Sequence, residues 1–495
     1  MFAGLGRLFK DKRENCKTAI LEEVKFLLHG IATGAKNIST LCGSARLGSL
    51  MRLHKSVVFE GLLNREDLNW RQFLLKVTTN LTKMTAKEIA RKADEAFTSE
   101  STPTLLNDNG RCKLPECLIA DDTVYPKSGR RPELPGKVFD HNLNKSVLGY
   151  KGLNICGFDG RSTYVIDFAL VGEEMDDKDH PQGMKPQDIE KRFSVKRNDG
   201  SEAQKRIDEY SKTKPELLRQ MVRNARKNGF DDAEYLLCDT WFFSKDVLAF
   251  TEDEMKMHYL GMAKSSICFD VEGKKMNADG LGKYMKAKEA QRRKSHGKDA
   301  EGNPIPKLIK KLYGTRFYGA ELVCKYKGRT LKVCIFSTNK KDWNVIVSTN
   351  TALTLKEAFE YYQIRWTIEV FHSDAKSLYG LGKCQQRNFA GQIADMTLKM
   401  AVFNIMTFIK RITVYETLGG LFKEMTECSA EVDLADRIWG MIMETLASVA
   451  KMFDSSYDAI LETVLGENKD INVLYRLVAK TEPRHHLTLV TSIFT

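Results

Sequence analysis

Nowhere among the 495 residues is there the run of about 18 apolar residues that a membrane-spanning helix needs. A membrane role is therefore not expected. The opening stretch MFAGLGRLFKDKREN has no long apolar core and no small-residue cleavage site, which argues against a secretory signal. No Walker-type phosphate loop occurs, and GLGRLF is too short to act as one, so a reaction driven by ATP is not expected. The 11 cysteines are scattered and odd in number. Cys112 and Cys117 lie closest together, with no matching Cys or His pair nearby, and His485–His486 also lack evident partner ligands. A zinc knuckle is disfavoured, and a reduced, cytoplasmic protein fits. There is no internal repeat and no clear helix-turn-helix signature.

What the chain does have is basic charge, 77 Lys+Arg against 65 Asp+Glu. A surplus of this kind suits a polyanion, most often nucleic acid, though it also suits a merely soluble basic protein. Its placement favours the first reading. Residues 280–342 hold 17 basic and 5 acidic side chains, and the first 55 residues hold six more bases than acids.

Apolar residues recur at three- and four-residue steps in ENCKTAILEEVKFLLHGIA and NWRQFLLKVTTNLTKMTAKEIARKADEAF, predicting a helical region over 1–100. The texture then changes. ECLIADD reads as a buried strand ending in two acids. KGLNICGFDGRSTYVIDFALVGE reads as a hairpin about DGRS. KPELLRQMVRNARKNGFDD reads as an amphipathic helix, and AEYLLCDTWFF as a second strand ending in Asp. A polar stretch, 174–205, lies between. From HYLGMAKSSICFDVEG onward the pattern suggests an insertion. It has a mobile basic loop, KEAQRRKSHGKDAEGNPIPK, and short strands at ELVCKY, TLKVCIFST and WNVIVST. TLKEAFEYYQIRWTIEVFHSDAKSLYGL reads as one long helix, with Thr354 as N-cap and Glu357 at the capping-box position. The remainder is again helical. The expected class is α/β, a mixed sheet covered by helices.

Three carboxylates stand out. Asp121 or its neighbour Asp122 ends one strand, Asp239 ends another, and Glu369 lies within the long helix. Acids pushed to a sheet edge, joined by a Glu from a covering helix, can hold two divalent cations about 3.5–4 Å apart. Their hard oxygen ligands suit Mg²⁺ or Mn²⁺. Each acid alone has an ordinary reading, as turn chemistry or a solvated helix face. On a continuous helix, however, Tyr362, Arg365, Glu369 and Lys376 share one face. One acid, two bases and a phenol make a poor core face and a good phosphate-handling one.

Tyr362-x2-Arg365-x3-Glu369-x6-Lys376 resembles the YREK signature of IS4-type, Tn5-like DDE transposases. IADDTV and LLCDTWF are similar to the segments that carry the family's two aspartates, and the resemblance spans about residues 115–395. It implies an RNase H-like core with Asp121, Asp239 and Glu369 as the catalytic, metal-holding triad. Thr123, two residues on, favours Asp121, with Asp122 as the rival. It implies that Tyr362, Arg365 and Lys376 contact DNA phosphates. Trp343 stands where such members carry a tryptophan that stacks on a flipped base, although packing within its own strand explains it equally well.

The implied organisation is a DNA-end-binding helical region at 1–100, core segments at 101–264 and 343–395, a basic β-rich insertion at 265–342, and a helical region at 396–495 suited to dimerisation. The implied function is cut-and-paste transposition by two-metal phosphoryl transfer, with second-strand cleavage through a hairpin. The partners are double-stranded DNA, as terminal inverted repeats and as target, and a second copy of the chain. The setting is the bacterial cytoplasm and nucleoid. Two alternatives stay open: a catalytically silent, transposase-derived DNA-binding protein, and a stand-alone RNase H-like nuclease. His372 is expected on the helix surface, and Trp366 to pack its helix.

Overall fold

The computed structural model describes residues 1–2, 5, 8–9, 19–35, 54–98, 114–173, 178–295, 307–312, 317–412 and 417–426. Cys112, His485–His486, three of the six residues of GLGRLF, and the C-terminal stretch from 427 onward lie outside them. Among the described residues no helix is long and apolar enough to cross a membrane.

Five strands form the centre: β1 (Cys117–Pro126), β3 (Lys145–Phe158), β4 (Thr163–Val171), β5 (Tyr235–Cys238) and β6 (His258–Ala263), with a short β2 (Gly136–Asp140) beside the start of β3. Their order is β4-β3-β1-β5-β6. β3 runs antiparallel to β1 and β4, while β1, β5 and β6 are parallel. The hairpin turn between β3 and β4 places Gly160 at φ 87°, a conformation Gly adopts without a Cβ clash. Nine residues of β4 and the last ten of β3 are buried, which is why both read as unbroken apolar runs rather than alternating ones.

The sheet continues beyond β6. β12 (Asn344–Ser348) pairs antiparallel with it, followed by β11 (Arg329–Ser337), β10 (Phe317–Tyr326), and the short β7 (Phe269–Val271) and β8 (Lys274–Met276). β9 (Lys310–Leu312) adds to β10. The segment 265–342 therefore widens the central sheet. Part of its expected basic loop is helical instead: KEAQRRKS lies in a helix over Ala278–Ser295. Lys, Glu, Ala, Gln and Arg are good helix formers, and Leu281 and Met285 anchor that helix on the sheet.

The first long helices are α1 (Ile20–Ala32) and α2 (Trp70–Thr98). We label the others α3 (Glu202–Asp208), α4 (Lys214–Lys227), α5 (Ala278–Ser295), α6 (Leu355–Gln363), α7 (Trp366–Leu378) and α8 (Phe389–Ile412). α8 is buried almost all round, as an apolar-faced central helix must be. It packs on α1, α2 and β4, and the expected boundary at 395/396 falls inside it. Its Asn404 covers the outer edge of β4. Oδ1 accepts from Val165 N at 2.8 Å, and Nδ2 donates to Val165 O at 2.7 Å and Thr78 Oγ1 at 2.8 Å. An open strand edge is thereby closed. The mixed sheet with its helices is consistent with an RNase H-like core.

Candidate functional site

β1 does not end at its acids. It continues to Pro126 along β3, but its parallel partner β5 stops at Cys238, level with Ala120. Asp121 is the first β1 residue beyond that stop, and Asp239 the first residue after β5. The gap left where β5 departs exposes both to one cleft. α7 crosses it and supplies Glu369. The expected single long helix is in fact two: tight turns, Arg365 N to Tyr362 O and Ile368 N to Arg365 O, separate α6 from α7. Arg365 thus stands at the N-terminus of the second helix and lines the cleft. Thr354 and Glu357 form the expected capping box at the start of α6.

A cleft of about 520 Å³ is lined by Asp121, Asp122, Asp239, Arg365, Glu369 and Lys376, among others. Arg365 bridges two of the acids: Nη1 donates to Asp121 Oδ2 at 2.9 Å, and Nη2 donates to Glu369 Oε1. Among the described residues no three His, Cys, Asp or Glu side chains stand close enough together to hold a metal. The guanidinium stands between Asp121 and Glu369. The donor set still fits a divalent ion, because three hard carboxylates face one cleft.

Burial pushes the Asp121 carboxyl up to about 7; Arg365 opposes this, and Asp239 and Asp122 add to it. Burial also raises Asp239, whose Oδ1 accepts from Trp241 N at 2.9 Å. Asp121 and Asp239 repel each other, and a bound cation would relieve that repulsion. Asp122 has other partners: Lys214 Nζ donates to its Oδ2 at 3.1 Å, and Lys151 Nζ lies at 3.5 Å.

Lys376 donates to Thr123 Oγ1 at 2.6 Å and stands 5.4 Å from the Tyr125 ring centre. Burial lowers its pKa. The phosphate role that the resemblance implies for Lys376 predicts that Lys376→Ala weakens binding to duplex DNA several-fold and flattens the dependence of log affinity on log salt by roughly one. Titrations at two salt concentrations check this; unchanged affinity at both would remove Lys376 from the DNA contacts. Tyr362 is half-buried, packs on the core, and lies 5.7 Å from the Arg365 guanidinium.

Three expectations need correction. Trp343 is 3 % exposed, and its indole occupies the space over Gly282 of α5, where a Cβ would come within 2.2 Å of Nε1. It packs the core, and its ring is not presented to a base. Trp366, at 63 % exposed, does not pack its helix. His372 is buried, not on the surface, and its Nε2 meets Asn154 Nδ2 at 3.0 Å.

Burial lowers the His372 pKa to about 3, with Lys376 and Arg365 adding to the shift. The folded-state value lies below the ordinary 6.5, so the stability it contributes is present above pH 6.5 and is lost as pH falls toward 3. The expected slope is at most about 1.4 kcal/mol per pH unit. Urea melts between pH 7 and 4 should show a shallower loss for His372→Gln, which keeps an acceptor for Asn154. Parallel curves would contradict this.

Three cleft residues, Lys151, His141 and Trp241, and Lys214, which pairs with Asp122, carried no sequence signal strong enough to mark them. Trp241 is 55 % exposed, with Lys264 Nζ 4.5 Å and Lys214 Nζ 5.7 Å from its ring. Lys151 does interrupt an apolar strand, a pattern that flags a buried, paired charge.

A family model described as a transposase DDE domain matches residues 206–405. The match covers Asp239, Arg365, Glu369 and Lys376, and Asp121 precedes it. It supports a DDE transposase family, which in general means a metal-dependent enzyme acting on DNA. No curated protein matches the chain.

Proposed function

We propose, with that transposase domain as premise, that this protein cuts DNA at the ends of an insertion sequence and joins them to target DNA. Asp121, Asp239 and Glu369 are its catalytic acids. The observation that carries this reading is the convergence of three carboxylates, from β1, the end of β5 and α7, on one cleft that also holds Arg365 and Lys376. The partners of Asp122 support Asp121 as the first acid, since Lys151 and Lys214 already neutralise Asp122.

Bound Mg²⁺ or Mn²⁺, as a pair, would supply the charge that activates a hydroxyl and stabilises the leaving oxygen. The chain's own side chains hold and orient the DNA. Asp121, Asp239 and Glu369 would hold the ions, and Arg365 beside them offers a planar fork suited to pairing a phosphate. Lys376 holds a neighbouring phosphate. Trp241 offers an exposed ring beside Asp239, on which an unpaired base can stack. In the first step water attacks phosphorus and the P–O3′ bond breaks, freeing a 3′-hydroxyl. That hydroxyl attacks the opposite strand to give a hairpin. A second water opens the hairpin by hydrolysis, and the regenerated 3′-hydroxyl attacks target DNA. Hairpin formation and joining each exchange one phosphodiester for another, the two hydrolyses each break one, and no ATP is consumed. Reading of the ends by helices before residue 100, and pairing of two copies through 396–495, complete the IS4-type scheme.

Incubating the protein with Mg²⁺, DNA carrying the ends of the element and a target plasmid tests this. Joined end–target products are expected. Nicked ends that never join would point instead to a nuclease.

A further inference from the structure

A second basic groove lies away from the acids, between α5 and the β9–β10 edge. It has a volume of about 710 Å³ and is lined by Lys286, Lys307, Lys310, Lys311 and Lys340 around Tyr318, with Glu289 as its acid. Lys307, Lys311 and Lys340 have no carboxylate partner among the described residues, whereas Lys310 pairs with Glu321 at 3.1 Å. Five ammonium groups in one groove repel one another unless a polyanion joins them.

The groove is also built. Lys340 sits at φ 61°, a left-handed conformation that is strained for a residue with a β-carbon. Asn339 holds that turn, its Oδ1 accepting from Lys341 N at 2.8 Å and Asp342 N at 3.0 Å. The result stands the Lys340 ammonium 4.1 Å from the Tyr318 ring centre, while Lys286 Nζ donates to the Lys340 carbonyl at 2.5 Å.

Strand register shows where the groove lies relative to the acids. Asp239 follows the C-terminal end of β5. β6 is parallel to β5, β12 antiparallel to β6, β11 antiparallel to β12, and β10 antiparallel to β11. The start of β10 at Tyr318 and the β11–β12 connection that carries Lys340 therefore face the same end of the sheet as Asp239. From β5 to β10 is four strand steps, or roughly 19 Å at about 4.8 Å each. At about 3.4 Å per nucleotide, that is five or six base pairs. Lys264, which follows β6 and lies over Trp241, stands between the two sites.

We propose that this groove grips the phosphate backbone of the same DNA duplex that enters the catalytic cleft, about five or six base pairs from the scissile phosphate. The proposal rests on the DNA-cutting reading above.

Salt-dependent binding of the full chain to a mixed-sequence 30-base-pair duplex in EDTA tests the grip. The triple variant Lys307→Gln, Lys311→Gln, Lys340→Gln should bind about tenfold more weakly near 0.1 M salt, with a log–log salt slope smaller by roughly two to three. The charge-matched control Lys185→Gln, Lys191→Gln, Lys196→Gln changes exposed lysines of another segment and should barely move either quantity. Equal binding by the groove variant and wild type, or equal loss in the control, overturns the proposal. Failure of wild type to bind duplex DNA at all would overturn the DNA reading itself. An iron–EDTA cleaver tethered at Lys311→Cys should cut the backbone about five or six base pairs from the Mg²⁺-dependent nick. Cuts more than a helical turn away would contradict the shared duplex.

Discussion

Asp239→Asn should leave DNA cutting at least about a thousandfold below wild type while DNA binding stays within a few-fold. The argument is one of charge. A metal-assisted phosphoryl transfer draws several kcal/mol from its bound cations, and each 1.36 kcal/mol is a decade of rate. An amide in place of a carboxylate removes a full negative charge from the proposed cation site. It does not disturb the local fold, because Asn Oδ1 can still accept from Trp241 N, as Asp239 Oδ1 does at 2.9 Å. DNA loses no contact, and the change removes an acid that repels its phosphates. Nicking assays and binding titrations on one preparation check both halves. Wild-type cutting would displace Asp239 from the site, and loss of binding would make its role structural.

Arg71→Met should destabilise the fold by about 3–5 kcal/mol, as expected when a buried charge cluster loses one partner. Arg71, at the start of α2, donates through Nε to Asp167 of β4 at 2.8 Å and through Nη2 to Glu209 at 3.0 Å and Phe168 O at 3.2 Å. Arg206 completes the cluster, donating to Phe168 O at 2.7 Å. Asp167 and Glu209 are 1 % and 2 % exposed. Without Arg71, two buried acids face a single guanidinium. The Arg206 and Arg71 guanidiniums hold Glu209 below the usual carboxylate range against the upward push of burial. Its share of stability is therefore present at neutral pH and lost on acidification. The difference between variant and wild type should accordingly shrink at low pH. Urea melts at pH 7 and pH 4 measure it, and an Arg71→Met variant as stable as wild type would mean the cluster contributes nothing net.

The elements legible in the sequence are those defined by local chemistry. The β3–β4 hairpin announced itself by two apolar runs about Asp159–Gly160. α4 showed its amphipathic face, and α6 its Thr354–Glu357 box. The features that escaped depend on contacts between distant segments. That Asp121 lies within β1 and yet opens to a cleft follows from β5 stopping at Cys238, a fact of pairing. Trp343 is buried because Gly282, some sixty residues earlier, leaves room for its ring. His372 is buried because Asn154 on β3 meets it. The break between α6 and α7 leaves no breaker residue in YYQIRWT; its tight turns place Arg365 against Asp121 and Glu369. The acids themselves could be nominated from strand-end position and helical spacing. The guanidinium between two of them could not, because periodicity says nothing about which charges pair.

Transposition in cells tests the central claim most directly. A marker flanked by the DNA that borders this gene would be supplied together with wild-type protein or Asp239→Ala, and the junctions sequenced. The account predicts insertions joined at fixed ends with wild type and none with the variant. Specific binding to those ends without a single insertion from wild type would contradict it and leave a DNA-binding protein in its place.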